Sequence, residues 1–404
     1  MSQIELSPDT VLCLAPTLRT RVAASGHVVI DAPNGTVVDI GPHGYAILAL
    51  FARPLPLGDA IERLEVEWAA STQFAPSMSV LNMLIEEDVL VRAGGTLVPA
   101  SGWADPIEHA RMLHDEARTR DFIAAITAAV RPGDVVLEIG TGSGVLAVAS
   151  ARAGARHVYA VEASDIADVA AEVFARNGVA DRVTLVPGWS RQIDLPERAD
   201  LLVSEVIGNE PLEEEILETM LDARRRLLAP DARLIPYALE LVARPLRLPE
   251  EEFRQRAFGR DAVDRWRGLY DIDFGPLLDA AGPDPVHTLT EAEVVAGWPP
   301  AGPATTLGRV DLTAFEEVAL ACSEELAVDT PEPVNAVAVT FRAHLHGDIV
   351  HALDPWRRPS SSWATSVWVL PEPVSVGTGS ALSVHYRRRV AGEADGLRVE
   401  VVPA

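Results

Sequence analysis

The pattern of apolar and polar positions changes twice along this chain of 404 residues. Strand-like runs and then three segments of helical spacing occupy the first 95 residues. Further on, strand-like and helix-like runs alternate regularly, and after Tyr237 short alternating runs are separated by Pro and Gly. These changes predict three domains: residues 1–100, residues 101–236 and residues 237–404, the last of them a β-rich sandwich or barrel.

The alternation in the middle domain predicts a doubly wound parallel α/β sheet, which binds ligands at the carboxyl ends of its strands. A helix over Ile107–Val130 leads into it and stops at an Arg-Pro-Gly-Asp sequence. The predicted elements are then strand 135–139, helix 143–153, strand 157–162, helix 165–176, strand 182–186, strand 200–205, helix 212–228 and strand 232–236.

The first of these strands runs into Gly-Thr-Gly-Ser-Gly at residues 140–144. Glycine lets the backbone turn sharply and approach a ligand closely. Glu162 ends the next strand about 20 residues later, where a carboxylate suits the two hydroxyls of a ribose. A dinucleotide and an S-adenosyl compound both fit this pattern. Val145 and Ala147 replace the further glycine of the dinucleotide motif, and no cation for a pyrophosphate is evident, which favours S-adenosylmethionine.

A second acidic group follows the fourth strand. Glu205 comes directly after this strand, and Glu213–Glu215 are predicted to lie in the first turn of the next helix, where the macrodipole favours acids. Two carboxylates that converge at a strand end would also hold a guanidinium, whose planar fork takes carboxylate partners in fixed geometry. Both interpretations of the acidic group remain open at this point.

Composition excludes several classes of partner. The chain has 59 acidic and 34 basic residues, all of the latter arginine, and a net charge of −25. Binding to phosphate backbones rests on clustered cations, so we expect no nucleic-acid partner. No apolar run reaches membrane-spanning length and the N-terminus lacks a signal core, which predicts a soluble, cytoplasmic protein without a membrane partner. Cys13 and Cys322 show no metal or disulfide spacing, so no metal site is expected.

The first domain shows an order of elements typical of a winged helix. Strands at Val28–Ile30 and Thr36–Ile40 flank an Ala-Pro-Asn-Gly turn. Three predicted helices and a closing β-wing follow at Gly44–Arg53, Leu57–Trp68, Ser77–Glu87 and residues 89–98. The third helix contains no Arg or Lys and ends in acidic residues, which is poor chemistry for a DNA groove.

This order also resembles the small peptide-binding domains that recruit leader peptides in ribosomal peptide natural-product pathways. Those domains add the peptide as a strand beside the hairpin. The resemblance implies that residues 1–95 bind a peptide or protein substrate, and a purely structural N-terminal cap is an equal alternative.

From about Glu108 to its end, the chain resembles the protein arginine methyltransferase family. His109–Thr119 resembles the helix that folds over the cofactor, and Gly140–Gly144, Glu162-Ala-Ser and Ser204-Glu205 follow at the family's spacing. Glu214 lies nine residues after Glu205, as the family's paired substrate glutamates do, and Ile235-Pro236 resembles its transition to a β-barrel. The resemblance implies a Rossmann-like methyltransferase core followed by a β-barrel substrate domain.

The resemblance also implies residue roles. Glu205 and Glu214 would be the catalytic pair that holds the nucleophile, while Arg118 would bind the methionine carboxylate and Glu162 the ribose of S-adenosylmethionine. The methyl group would pass in line from a sulfonium to a nitrogen lone pair, with a carboxylate accepting the proton. The other implied cofactor-binding residues are His109, Met112, Gly140, Thr141, Gly142, Gly144, Ser190 and Thr219.

Several positions depart from the family pattern. Ser362 replaces the histidine of a Thr-His-Trp loop in the barrel, which braces a carboxylate of the substrate site. Asn209-Glu210-Pro211 replaces aromatic or bulky residues, and Arg191, beside Ser190, stands in place of an acid that contacts adenine. The N-terminal domain lies outside the usual layout. The family forms head-to-tail homodimers through an arm, for which residues 250–296 are the candidate.

Three hypotheses about function follow. The first is a methyltransferase that modifies a nitrogen of a protein or peptide, with arginine as the simplest acceptor. A more specific form is an enzyme that tailors a ribosomally made natural-product precursor. The alternative is a non-catalytic regulator in which a degenerate methyltransferase core senses a ligand or partner; the missing barrel histidine supports it, and the intact cofactor motifs oppose it.

Overall fold

The computed structural model describes residues 10–15, 18–22, 27–31, 37–41, 44–51, 55–68, 74–86, 89–92, 103–360, 362–375, 381–388 and 396–402. The chain divides into two compact units. One is made of Met1–His109, Gly140–Val148 and Tyr159–Asp194, and the other of Ala110–Ile139, Ala149–Val158 and Leu195–Ala404. This division crosses the α/β region, so the predicted domain limits at residues 100 and 236 stay predictions.

Short strands and three helices make up the described part of the N-terminal segment. Their apolar side chains form one core, which includes Leu12, Ile30, Phe51, Leu64 and Leu84. Two antiparallel sheets have the orders β5-β1-β6 and β2-β3-β4. The elements are β1 (Val11–Leu14), β2 (Arg19–Val22), β3 (Val28–Asp31), β4 (Val37–Asp39), α1 (Gly44–Leu50), β5 (Leu55–Pro56), α2 (Leu57–Trp68), α3 (Phe74–Glu86) and β6 (Leu90–Arg92).

The predicted hairpin strands and all three predicted helices of this segment are present. The hairpin strands are β3 and β4, and the helices are α1, α2 and α3, the last beginning at Phe74 and not at Ser77. β6, which begins the predicted wing, pairs with β1. The turn at residues 32–35 and the rest of the wing lie outside the described residues, so the winged-helix assignment stays a prediction.

The middle of the chain alternates between strands and helices. Five strands form a sheet in the order β11-β10-β7-β8-β9, and β10 is parallel to both β7 and β11. Every residue of β7 is buried, as in a strand covered on both faces. The elements are α4 (Pro106–His114), α5 (Glu116–Ala129), β7 (Val135–Ile139), α6 (Val145–Arg152), β8 (His157–Glu162), α7 (Ile166–Arg176), β9 (Val183–Pro187), β10 (Ala199–Ser204), α8 (Ile216–Arg226) and β11 (Leu228–Ile235).

Two predicted helices of this region were wrong in their limits. The single helix predicted over Ile107–Val130 is divided at Asp115, whose carboxylate accepts the Arg118 backbone N–H at 3.1 Å and so caps α5. The helix predicted from residue 212 begins only at Ile216, and Glu215 before it has a left-handed φ of 57°. Glu213 and Glu214 therefore precede the helix, and the macrodipole does not explain them.

The remainder of the chain is mainly β-structure, as predicted. One sheet has the order β13-β18-β16-β12-β14 with β17 beside β16, and another the order β15-β19-β20. The elements are β12 (Ala238–Leu246), α9 (Glu250–Arg256), α10 (Arg260–Tyr270), α11 (Gly275–Ala281), β13 (Val286–Glu291), α12 (Ala292–Ala296), β14 (Thr305–Asp311), β15 (Ala321–Ala327), β16 (Val334–His346), β17 (Ile349–Ala352), β18 (Ala364–Val374), β19 (Ala381–Arg387) and β20 (Gly396–Val402).

The sequence pattern after Tyr237 also predicts a helix at Leu289–Val295, but the helix begins only at Ala292. β13 extends to Glu291 and pairs along its length with β18, so pairing decides the conformation of this Thr-rich segment, and helix is confined to α12. The long strand β16 is buried from Val334 to Phe341 and packs with α5. Among the described residues, no helix combines the length and the apolar character that a membrane span requires.

Candidate active site

The glycine-rich segment after β7 adopts a backbone that explains its composition. Gly140, Gly142 and Gly144 all have left-handed φ values, of 77°, 53° and 86°. A side chain at two of them would also collide with a neighbour. A Cβ on Gly142 would lie 2.9 Å from Cε1 of His109, and a Cβ on Gly144 would lie 2.6 Å from Cε1 of Phe174. The turn is therefore restricted to glycine by conformation and by space.

The Glu162 carboxylate at the end of β8 is buried and held by backbone donors. Its Oε2 accepts the N–H of Gly142 at 2.8 Å, and its Oε1 accepts the backbone N–H of Ser164 and its hydroxyl, each at 2.8 Å. The N–H groups of Gly140 and Thr141 both bond to the carbonyl of Val161 at 3.0 Å. The glycine turn and the carboxylate thus fix each other, and four acceptor positions on the carboxylate are more than these three donors use.

His109 is buried against this turn. Its Nε2 lies 2.7 Å from the carbonyl oxygen of Trp103, and because a carbonyl only accepts, Nε2 carries the proton. The Ser164 hydroxyl approaches the same carbonyl at 3.2 Å. Ser190, also predicted for the cofactor, is buried at the start of a short 3₁₀ turn after β9. Sequence reasoning missed Trp103, which takes part through its backbone carbonyl and not through its side chain.

The second compact unit brings Arg118 and Glu205 together in a close ion pair between Nη2 and Oε2. The two side chains are 13% and 7% exposed. Arg118 also donates from Nη1 to the carbonyl of Met112 at 3.4 Å, and its guanidinium lies 5.2 Å from the ring centroid of Trp363. Burial lowers the pKa of Arg118 to about 10, opposed by Asp115 and Glu214, so this side chain stays cationic at neutral pH.

One donor of Arg118 is left over. Its Nε is buried and has no hydrogen-bond partner among the residues that the structure describes. An unsatisfied donor on a buried cation is unusual, because such a group normally has a partner. This N–H is available to a further acceptor, and a carboxylate is the acceptor that pairs best with a guanidinium.

Glu214 is partly buried in the turn before α8. Burial and, to a smaller extent, the neighbouring Glu213 raise the pKa of its carboxyl group, the Arg118 charge acts against both, and the resulting pKa is about 7. Glu205 accepts the N–H of Ile207 at 3.4 Å in addition to its ion pair. We call residues 205–215, which join β10 to α8, the carboxylate loop. Thr219 is buried on α8, one turn beyond this loop.

Asp115 at the start of α5 is bonded to the serine-rich segment before β18. Its Oδ2 accepts the hydroxyl of Ser360 at 2.6 Å and that of Ser362 at 3.2 Å. Burial acts to raise the pKa of Asp115, but the Ser360 hydroxyl, the Arg118 N–H, His351 and Ser362 together lower it. Ser362, which replaces the family histidine, thus contacts a carboxylate through a hydroxyl, and Ser360 adds a second one.

Sequence reasoning missed the residues that complete this region. Ser360 and Asp115 are 245 positions apart, and His351, buried beside Trp363, bonds to Asp121 at 2.8 Å from 230 positions away. No local pattern links such pairs. The one signal in the sequence was the run of three serines at residues 360–362, which is unusual just before a buried Trp.

The chain is similar in sequence to known methyltransferases. Residues 116–236 match the family described as "Ribosomal protein L11 methyltransferase (PrmA)". The chain is 33% identical over 197 residues, 47% of its own length, to "Probable protein arginine N-methyltransferase 6" of Arabidopsis thaliana, covering 44% of that protein. It is 31% identical over 254 residues, 61% of its length, to "Protein arginine N-methyltransferase 1" of Schizosaccharomyces pombe, covering 66% of it.

The fold is also that of known structures. The "PRMT1 enzyme-prozyme heterotetrameric complex with AdoHcy" of Trypanosoma brucei superposes with a TM-score of 0.65 at 24% identity, over 75% of this chain and 95% of that one. The two curated relatives are named as protein arginine N-methyltransferases, and the solved structure shows a likeness of fold. The chain spans between about a third and two thirds of the length of the first curated relatives it matches.

Proposed function

We propose that this protein is an S-adenosylmethionine-dependent N-methyltransferase that acts on a protein or peptide, with an arginine side chain as the acceptor. The observation that carries the proposal is the group of charged side chains around Arg118. One buried cation is in the company of three carboxylates, those of Asp115, Glu205 and Glu214. The relatives named as arginine methyltransferases support the same chemistry.

The residues present fit the cofactor. The glycine turn and Glu162 would hold the adenosine part, with His109, Thr141 and Ser190 beside them, and Arg118 would take the carboxylate of the methionine part through its free Nε. Met112 and Thr219 keep the supporting roles that the family resemblance gives them. When bound, S-adenosylmethionine supplies a methyl group on an electrophilic sulfonium. The Trypanosoma brucei protein forms a complex with AdoHcy, which supports this choice of cofactor.

The charges of the side chains around Arg118 indicate which class of acceptor would bind there. With Glu214 ionised, three negative charges face one positive charge, and the excess favours a cation over a neutral or acidic group. A guanidinium matches two carboxylates because its planar fork donates in two directions. Glu205 would orient the acceptor nitrogen, and Glu214, with a pKa near 7, would take up a proton at physiological pH.

The N-terminal domain is proposed to recruit the substrate. Within the described part of the chain, β2 and β4 are the outer strands of the sheet β2-β3-β4, and an edge strand is a template for adding a peptide strand. A precursor peptide of a ribosomal natural-product pathway would be such a partner. We also expect the enzyme to be cytoplasmic.

The candidate arm, residues 250–296, exposes Leu269, Tyr270, Ile272 and Leu277, which supports the expected homodimer.

The test combines binding with transfer. Purified full-length protein is titrated with S-adenosylmethionine by calorimetry and then incubated with an arginine-rich peptide library, read by mass spectrometry. We expect saturable cofactor binding and additions of about 14 daltons per methyl group, with fragment ions on arginine. Absence of cofactor binding at millimolar concentration would refute the proposal, and additions on other residues would keep the enzyme class but remove arginine as the acceptor.

A non-catalytic regulator is the second candidate, and the serine at position 362 favours it because the barrel histidine of the family is absent. Under this alternative the protein binds S-adenosylmethionine but transfers no methyl group to any peptide. The same experiment separates the two candidates, since they differ in transfer and not in binding.

A further inference from the structure

The carboxylate loop contains no helix or strand, yet it carries both proposed catalytic carboxylates at its two ends. Without regular hydrogen bonding, a loop keeps one shape only where other parts of the protein hold it. Methyl transfer depends on orientation, and a misplacement of about 1 Å can reduce a rate by about a hundredfold. The contacts that hold this loop should therefore affect the rate of methyl transfer.

Glu210 in the middle of the loop is buried, with 4% of its surface exposed. Its Oε1 accepts the hydroxyl of Tyr386 on β19, and its Oε2 accepts the N–H of Leu212 at 3.1 Å. A buried carboxylate needs such partners, because without them it would be more stable in water. The Tyr386 side chain is itself 1% exposed, so neither partner has room to leave.

Further bonds tie the same loop to the β-rich region. Nε1 of Trp363 donates to the carbonyl of Ile207 at 2.7 Å, and the N–H of Ala364 donates to Oδ1 of Asn209 at 2.8 Å. Arg388 donates from Nη2 to the carbonyl of Leu212 at 3.3 Å. Ile207, Asn209 and Leu212 are thus held through backbone or amide groups, whereas Glu210 is held through the two oxygens of its side chain.

We propose that Tyr386 and Glu210 are positioning residues that set where the Glu214 carboxylate lies. Tyr386 acts on Glu210, and Glu210 acts through the backbone that leads by way of Leu212 to Glu214; neither contacts a reactant. The inference rests on the proposed function and deepens it. It assigns a role to one of the positions, Glu210, at which this sequence departs from the family pattern.

The first test is kinetic and uses Tyr386→Phe, which removes one hydroxyl and keeps the ring in the core. We expect kcat/KM for the peptide acceptor to fall by about tenfold or more, while the KM for S-adenosylmethionine stays within twofold. Thr340→Val is the matched control, because it removes a buried hydroxyl that bonds to the Val242 carbonyl at 3.4 Å in the other sheet of the β-rich region. The control should change neither parameter.

Conservative rescue separates positioning from charge. Glu210→Gln keeps an oxygen that accepts the Tyr386 hydroxyl, so it should retain more acceptor turnover than Glu210→Ala. In a Tyr386→Phe background, Glu210→Gln should add little further loss, because the two side chains act as one unit. Independent, additive losses would overturn the proposal.

The second test does not depend on catalysis. Hydrogen–deuterium exchange of the full-length protein without cofactor should show faster exchange in Tyr386→Phe at peptides that cover residues 205–215, with the rest of the chain unchanged. Unchanged exchange in the loop, or equal acceleration throughout the protein, would overturn the positioning role. If the protein methylates nothing but the loop exchange rises as expected, the proposed function fails and the loop contact stands.

Discussion

The proposed functional residues fall into two halves, which are built in different ways. The glycine turn and Glu162 belong to one compact unit and are made from neighbouring residues, with the backbone N–H of Gly142 meeting a carboxylate only 20 positions away. The carboxylate loop belongs to the other unit and is held by partners from β18 and β19, more than 150 positions away. One half depends on backbone conformation and the other on long-range packing of charges.

This difference predicts which measured property a substitution in each half should change. A turn that requires left-handed glycines fails when a side chain is added, and the failure should appear in cofactor affinity. A cluster of buried charges fails when one charge is removed, and the failure should appear in turnover. Three substitutions test this separation, in order of decreasing effect.

Glu205→Gln should have the largest effect. The amide keeps the size of the side chain but removes the charge that pairs with Arg118 and orients the acceptor, so we expect kcat to fall by about 10² to 10⁴ with cofactor affinity changed only a few-fold. Initial rates give kcat, and calorimetry gives the cofactor affinity. Glu316→Gln, which alters another arginine-paired glutamate, serves as the control. A variant with full turnover would remove Glu205 from the catalytic role.

Gly142→Ala should have the next largest effect and the opposite signature. The residue has a φ of 53° and its Cβ would press on His109, so the turn must distort, and a left-handed alanine alone costs about 1–2 kcal/mol. We expect cofactor affinity to fall by about tenfold or more, since about 1.4 kcal/mol corresponds to tenfold in binding, while kcat at saturating cofactor is largely kept.

Gly133→Ala is the matched control for this substitution. Gly133 also has a left-handed φ, of 95°, but a Cβ there would meet nothing within 4 Å. It therefore reports the backbone strain without the collision, and its cofactor affinity should be near that of the wild type. Equal losses of affinity in both variants would mean that a general loss of stability, and not distortion of the glycine turn, explains the effect.

Glu213→Gln should give the smallest effect, a shift in pH dependence. The raised pKa of Glu214, about 7, means that its carboxyl group is neutral below pH 7 and charged above it, so acceptor turnover should rise with pH through this value. Removing the Glu213 charge should lower that pKa and move the rise by a fraction of a pH unit toward acid. Rates above pH 8 should not change, and Glu172→Gln in α7 should leave the whole profile in place.

The sequence was sufficient for the half that depends on local geometry. The glycines, the buried strand before them and Glu162 at the next strand end follow from short-range patterns, and the order of strands and helices between β7 and β11 agrees with the structure. The start of α8 was missed because an apolar pattern beyond Pro211 is compatible with a helix that begins four residues earlier. The left-handed Glu215 carries no signature in composition.

The other half was predictable only in part. Glu205 and Glu214 were identified because their spacing resembles a family. Tyr386 and Trp363, which hold the carboxylate loop, and Ser360, which bonds to Asp115, lie far along the chain and were missed. Such contacts arise from packing between sheets, and no periodicity in the sequence encodes which tyrosine reaches which glutamate. The same reason explains β13, where pairing with β18 overrides the local helical pattern.

The near-neutral pKa of Glu214 has a calorimetric consequence. A bound cation stabilises the charged carboxylate, as Arg118 already does, so each acceptor that binds near pH 7 should expel a fraction of a proton into the solvent. The observed heat of acceptor binding will then vary with the ionisation enthalpy of the buffer, and differ between phosphate and Tris. A lower pH should therefore weaken acceptor binding, as a competitor would, and leave the affinity for the cofactor unchanged.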